Sequence, residues 1–164
     1  MKVKLLSKTG ASSIVTMDKN AQITPHFKLW ELANNKGNAN IPQMILSAEI
    51  DDFLGLIEEF RGWWNKGMNC NSCYRQQDFN KSVGGSWNSL HLLALAFDWA
   101  QALDYTGRVR VYQAWYDITK RAGKVGGINF YPWGCHLDAH EDYYGHKDFV
   151  IRQGNVIVTR VPKP

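Results

Sequence analysis

Long apolar runs are missing from this 164-residue chain, and so are blocks of like charge. No segment approaches the ~18 consecutive apolar residues that a membrane-spanning helix needs, so no membrane partner is predicted. The opening MKVKLLSKTGASSIV has a brief apolar patch but not the ~7–15-residue apolar core of a secretory leader. A chain made in a cytoplasm without a signal peptide is expected. Lys and Arg (19) outnumber Asp and Glu (15), for a formal net charge of +4, but they are scattered. That pattern excludes the strong field of a dedicated nucleic-acid binder and leaves a weak attraction to anionic surfaces.

Cysteine is scarce and odd in number: three residues do not make a disulfide framework. Cys70-Asn-Ser-Cys73 has the spacing of a zinc knuckle or a redox motif, but only Cys135 remains to extend it. A structural zinc site needs four ligands. A redox motif opens a helix, whereas MNCNSCYR alternates like a strand. Reduced, partly buried thiols are predicted. Aromatics, in contrast, are plentiful, with seven each of Trp, Tyr and Phe. Any single one is best read as core, while a surplus in loops suits a groove that grips a polymer.

The chain is long enough for one core and too short for two. Residues 1–20 read as an arm or short strand, with Val3 and Leu5 alternating with lysines. Thr24-Pro25 predicts a short helix running through Phe27, Leu29, Trp30 and Leu32. Ser47 predicts the cap of a longer one, with Ile50, Phe53, Leu54, Ile57, Phe60 and Trp64 at helical spacing and Gly67 as its stop. A further helix is predicted from near Arg108, with Val111, Ala114, Trp115, Ile118 and Ala122 as its stripe and Gly123 as its end. Strands are predicted at 68–74, 95–100, 126–131 and 134–139. A closing hairpin over 148–162 follows from two β-rich runs joined by Gly154-Asn155, the signal of a type II′ turn. The whole reads as one α+β domain.

His91, Asp98 and His136 are three candidate ligands for one catalytic metal ion. His91 and Asp98 lie seven apart, which is not the i, i+4 spacing of two ligands on one helical face. The spacing works if His91 stands where a loop enters a strand and Asp98 further along it. Ala96, Asp98 and Ala100 then share one face, and Phe97 and Trp99 the other. In a strand, His136, Asp138 and His140 likewise share a side opposite Cys135 and Leu137. Taken singly, the same residues read as ordinary strand histidines and turn-forming aspartates. The HExxH zinc signature is absent, since Tyr144 stands where His140-Glu141 would need a second His.

The ordered set Ser72-x-Tyr74-Arg75, Asn80, Val83-Gly84-Gly85, Ser89-x-His91, Asp98, Gly126-Gly127-Ile128, Tyr131-Pro132 and His136-Leu137-Asp138 resembles the M15 family of zinc peptidases. That family includes D-alanyl-D-alanine carboxypeptidases and phage endolysin peptidases. The likeness spans about residues 70–138, and HFKLWELANN upstream is similar to a segment that often precedes it. The resemblance implies a mostly antiparallel sheet flanked by helices, of the Hedgehog and D-Ala-D-Ala-peptidase type. It implies one Zn²⁺ on His91, Asp98 and His136, and Arg75 facing the cleft to hold a substrate carboxylate or a developing oxyanion. Ser89 and Tyr131 are then substrate contacts, with Trp87 and Trp133 as further groove aromatics. Relatives usually carry Gly where this chain has Ala94. Several branches carry an acid where it has Trp133, which leaves Asp138 as the expected general base, with His140 and Glu141 in reserve and an orienting partner for a ligand His as the other reading of Asp138.

The implied function is hydrolysis of peptidoglycan stem peptides by a monomer that reaches the bacterial cell wall after release, as a phage lysin does. The rival expectation is a non-catalytic wall-binding or phage structural module that keeps the zinc fold. A third, a cysteine-based zinc or redox protein, predicts that Cys70→Ser and Cys73→Ser abolish function. Both substitutions are expected to be tolerated.

Overall fold

The computed structural model describes residues 2–6, 12–16, 20–33, 48–140, 148–154 and 156–162. Strands β1 (Lys2–Leu6) and β2 (Ser12–Thr16) pair antiparallel as a two-stranded sheet of their own, where an arm or short strand was expected. The main sheet holds β3 (Cys70–Ser72), β4 (Ala96–Trp99), β5 (Val125–Tyr131), β6 (Gly134–His140), β7 (Asp148–Gln153) and β8 (Val156–Pro162). Their order is β3-β4-β6-β5-β7-β8. Every pairing in it is antiparallel except β5 with β7, which run parallel. The expected α+β class and mostly antiparallel sheet are what the chain forms. Among the described residues, no helix is long and apolar enough to cross a membrane.

The predicted helix at Thr24-Pro25 does not form there. Thr24 Oγ1 instead accepts from Phe27 N at 3.1 Å and donates to Glu58 Oε1 at 2.5 Å, which holds a local turn. Helix α1 (Leu29–Leu32) starts later, where Glu31 Oε2 reaches back to Lys28 N at 2.8 Å. Helix α2 (Ala48–Trp64) follows its predicted stripe and ends at Asn65, whose φ of 52° breaks it before Gly67. Its expected cap, Ser47, lies outside the described residues. Helix α4 (Tyr105–Arg121) starts before Arg108, because Asp104 Oδ1 caps it by accepting from Gly107 N at 2.7 Å. Ala122 proves exposed beyond its end. The short polar helix α3 (Gln77–Ser82) and a 3₁₀ turn at Leu90–Leu93 carry no apolar period and were not predicted.

Alternation along the strands sorts the sheet into two faces. Phe97, Trp99, Cys135, Leu137, Ile128 and Phe149 are buried in the core. There α2 and α4 cover them through edge-to-face aromatic contacts, Phe60 with Trp99 at 5.6 Å and Phe60 with Trp115 at 5.8 Å. The intervening residues Asp98, His136, Asp138, Gly127 and Asn129 line a cleft on the opposite face. The core thus sets the sheet, and the sheet sets the cleft. Gly154, at φ +59°, begins the β7–β8 turn in the left-handed region that the primed turns require; Asn155 lies outside the described residues.

Candidate metal centre

The cleft has a volume of about 720 Å³. The 3₁₀ turn delivers His91 to its floor. Ser89 caps that turn, its Oγ accepting from His91 N at 3.3 Å, and Ala94 closes it with φ 56°. At this left-handed position an L side chain costs roughly 1–2 kcal/mol, a cost that glycine would avoid. The turn then feeds β4, whose register sets Asp98 opposite His136.

Three donor atoms converge. His91 Nε2 lies 3.1 Å from Asp98 Oδ1 and 3.1 Å from His136 Nδ1, and His136 Nδ1 lies 2.9 Å from Asp98 Oδ1. Among the described residues this is the one group of three or more His, Cys, Asp or Glu side chains close enough to hold a metal ion. Tetrahedral zinc with bonds of ~2.0–2.1 Å needs donors about 3.3 Å apart, so the triangle fits after a few tenths of an ångström of expansion. Its borrowed hydrogen bonds fit as well. His91 Nδ1 lies 2.8 Å from Cys73 O, an acceptor only, which keeps the proton on Nδ1 and leaves the Nε2 lone pair facing the cluster. His136 Nε2 lies 3.2 Å from Asp138 Oδ2, which turns His136 Nδ1 inward in the same way.

Charge follows from these contacts. Burial pushes the Asp98 carboxyl up, but its contacts with His136, whose Nδ1 donates to Oδ1, and with the His91 ring outweigh it and hold Asp98 ionised well below the carboxylate range. Burial pushes His91 down, further than its bond to Asp98 raises it, so His91 stays neutral. For His136, burial is overcome by hydrogen bonds to Asp138 and Asp98, which raise it to about 9. A proton on this imidazole is what a divalent cation would displace. In metal-stripped protein, His136 contributes stability that is full below its unfolded value near 6.5 and is lost as pH rises through about 9. Chemical denaturation is expected to show a loss on the order of 1–3 kcal/mol between pH 6.5 and 9.5. His136→Gln should flatten that slope.

Arg75 bears on the cluster more tightly than expected. Its Nη2 pairs with Asp98 Oδ2 and its Nε donates to Ser72 Oγ at 2.8 Å, so the guanidinium fixes the carboxylate. Tyr131 and Trp133 line the cleft and stack on each other, with ring centroids 4.9 Å apart. Trp87, expected in the groove, is instead 86% exposed and outside the cleft lining. Two glycines make room by lacking a side chain. A Cβ on Gly85 would lie 2.1 Å from Asn80 Oδ1, and one on Gly127 would lie 2.7 Å from both Asp138 oxygens. The cysteine thiols take no part: burial raises those of Cys70, Cys73 and Cys135, leaving them protonated and outside the metal-ligating group.

Sequence reading missed several cleft residues, Asn129 and Arg152 among them. Strand register carries one row of side chains across the face: Asp98 opposite His136, His136 opposite Asn129, and Asn129 opposite Arg152. No spacing rule connects positions this far apart in the chain.

No match was found among curated proteins or solved structures. The family model of peptidase M15 matches residues 25–132. The match takes in His91 and Asp98 and ends just before β6, so His136 joins them through geometry. The match covers well over half of the chain, and the chain belongs to the peptidase M15 family.

Proposed function

We propose that the chain is a zinc-dependent peptidase that hydrolyses peptide bonds in bacterial peptidoglycan stem peptides. The observation that carries this reading is the convergence of His91 Nε2, Asp98 Oδ1 and His136 Nδ1 inside a cleft, in a chain of this peptidase family. Zinc held by these three donors would act as a Lewis acid toward the peptide carbonyl and acidify water at neutral pH.

The chain's own residues supply the rest. Arg75 pairs with Asp98 and aims its carboxylate, and its charge beside the ligands favours negative charge developing on a substrate oxygen. Asp138 has two tasks. Its Oδ2 orients His136, and the same carboxylate, lining the cleft, takes the proton of the attacking water and returns it to the leaving amine. Ser89 holds the turn that bears His91, and Tyr131 with Trp133 offers a flat wall to the substrate.

Two measurements test these assignments. Purified peptidoglycan incubated with the protein should release new muropeptides detectable by mass spectrometry, with release stopped by a chelator and restored by Zn²⁺. Sedimentation with the wall without any cleavage would instead identify a non-catalytic wall-binding module, the reading favoured by Trp133 at a position that is acidic in several branches. Asp138→Asn is expected to weaken zinc affinity roughly 10–100-fold and, at saturating zinc, to slow turnover roughly 10²–10⁴-fold. Full activity of that variant at saturating zinc would leave Asp138 its orienting task alone.

A further inference from the structure

We propose that Arg152 is the specificity-determining residue of the cleft, binding an internal carboxylate of the substrate two to three residues from the bond that is cut. The proposal rests on the peptidase reading and adds the substrate feature that the cleft selects.

The cross-sheet row acts as a ruler. Asp98, His136, Asn129 and Arg152 occupy successive strands of one face. Strands lie ~4.7–4.9 Å apart, so the Arg152 backbone stands about 10 Å from that of His136. An extended peptide crossing the strands covers that distance in about three residues. On this spacing an internal carboxylate further along the peptide arrives at the Arg152 strand.

The charges of the cleft also single out Arg152. Arg75 is committed to Asp98, and Asp138 to His136. Arg152 lines the cleft, and among the described residues its exposed side chain has neither an ion-pair nor a hydrogen-bond partner. Asp148, the acid on its own strand and face, is four positions away, about 13 Å along β7. A guanidinium left unpaired at the wall of a cleft is suited to a planar carboxylate, which it can hold with two parallel hydrogen bonds.

Asn129, between His136 and Arg152 in the row, supports a peptide along this path. Its Nδ2 donates to Tyr131 Oη at 2.7 Å and to Gly154 O at 2.8 Å. Because a carbonyl only accepts, the amide orientation is fixed and Oδ1 is the free acceptor. Oδ1 is buried without a hydrogen-bond partner in a residue that lines the cleft. Buried acceptors are rarely left so; Oδ1 has almost no accessible surface, so a substrate N–H crossing the row satisfies it only with a small opening of the cleft wall.

The experiment measures binding separately from catalysis. Synthetic stem peptides carrying an internal D-glutamyl α-carboxylate, either free or as its primary amide, are titrated into metal-stripped wild-type and Arg152→Gln protein by calorimetry. The wild type should bind the acid roughly 10–100-fold more tightly than the amide, the range of a charge-assisted hydrogen-bonded pair. Arg152→Gln should bind both with the affinity of the amide. Equal affinities in the wild type, a preference kept by the variant, or no binding of either peptide would each overturn the assignment. Discrimination present in protein that cleaves nothing when loaded with zinc would keep the Arg152 assignment and sink the peptidase reading.

Discussion

Asp98→Ala is expected to abolish zinc binding and to lower peptidase activity at least ~10³-fold. The carboxylate does three jobs at one point: Oδ1 faces both imidazoles, and Oδ2 holds Arg75. Removing it takes one of three donors from the metal and the counter-charge from a half-buried guanidinium. Polarisation by a metal ion is worth several kcal/mol in a transition state, and each 1.36 kcal/mol is tenfold in rate. The same substitution leaves Arg75 unpaired, so the metal-stripped protein should lose about 3 kcal/mol of stability. Zinc content by mass spectrometry, muropeptide release and urea unfolding measure the three effects independently. Stoichiometric zinc in a purified, folded variant would show that the cation is held by other groups.

Trp115→Ala carries the largest expected effect on the fold. Trp115 is fully buried under the sheet and meets Phe53 and Phe60 edge to face. Its Nε1 donates to Gly127 O at 3.0 Å and to Asp138 O at 3.1 Å, pinning α4 to the two central strands directly behind the cleft. Truncating a buried Trp costs ~3–5 kcal/mol, which for a chain of this size lowers Tm by roughly 10–15 °C. Trp115→Phe keeps most of the packing but loses the donor, for about 1–3 kcal/mol. Because the lost bond ends on the backbone of Asp138, Trp115→Phe should also weaken zinc binding, while a substitution of similar cost in α2 should not. A calorimetric loss under ~1 kcal/mol for Trp115→Ala would contradict this anchoring.

The helical stripes were legible because burial of a helix face repeats every three to four residues. Phe53, Leu54, Ile57 and Phe60 in α2 and Val111, Trp115 and Ile118 in α4 are all buried. Helix starts were less legible where short polar side chains decide them. Thr24 could cap a helix or close a turn, and its bond to Glu58, thirty-four positions away, decides for the turn. Asp104 is an N-cap by the same local chemistry, but Gly107 within the first turn weakens the helical signal that follows it. The split of β4 into Phe97 and Trp99 on the core side and Asp98 on the other followed from alternation alone.

The candidate ligands were likewise named from residue type, order and family likeness, whereas their partners were not. The grip of Arg75 on Asp98, the bond of Asp138 to His136 and the support of His91 by Cys73 O depend on where three segments meet. The Asn129 and Arg152 positions depend on register between β6, β5 and β7. Sequence by itself determined which side chains face inward and outward, since periodic burial is a local property of helices and strands. Only the tertiary structure decided which outward-facing residues become neighbours, because strand pairing sets distances between positions that the chain keeps far apart.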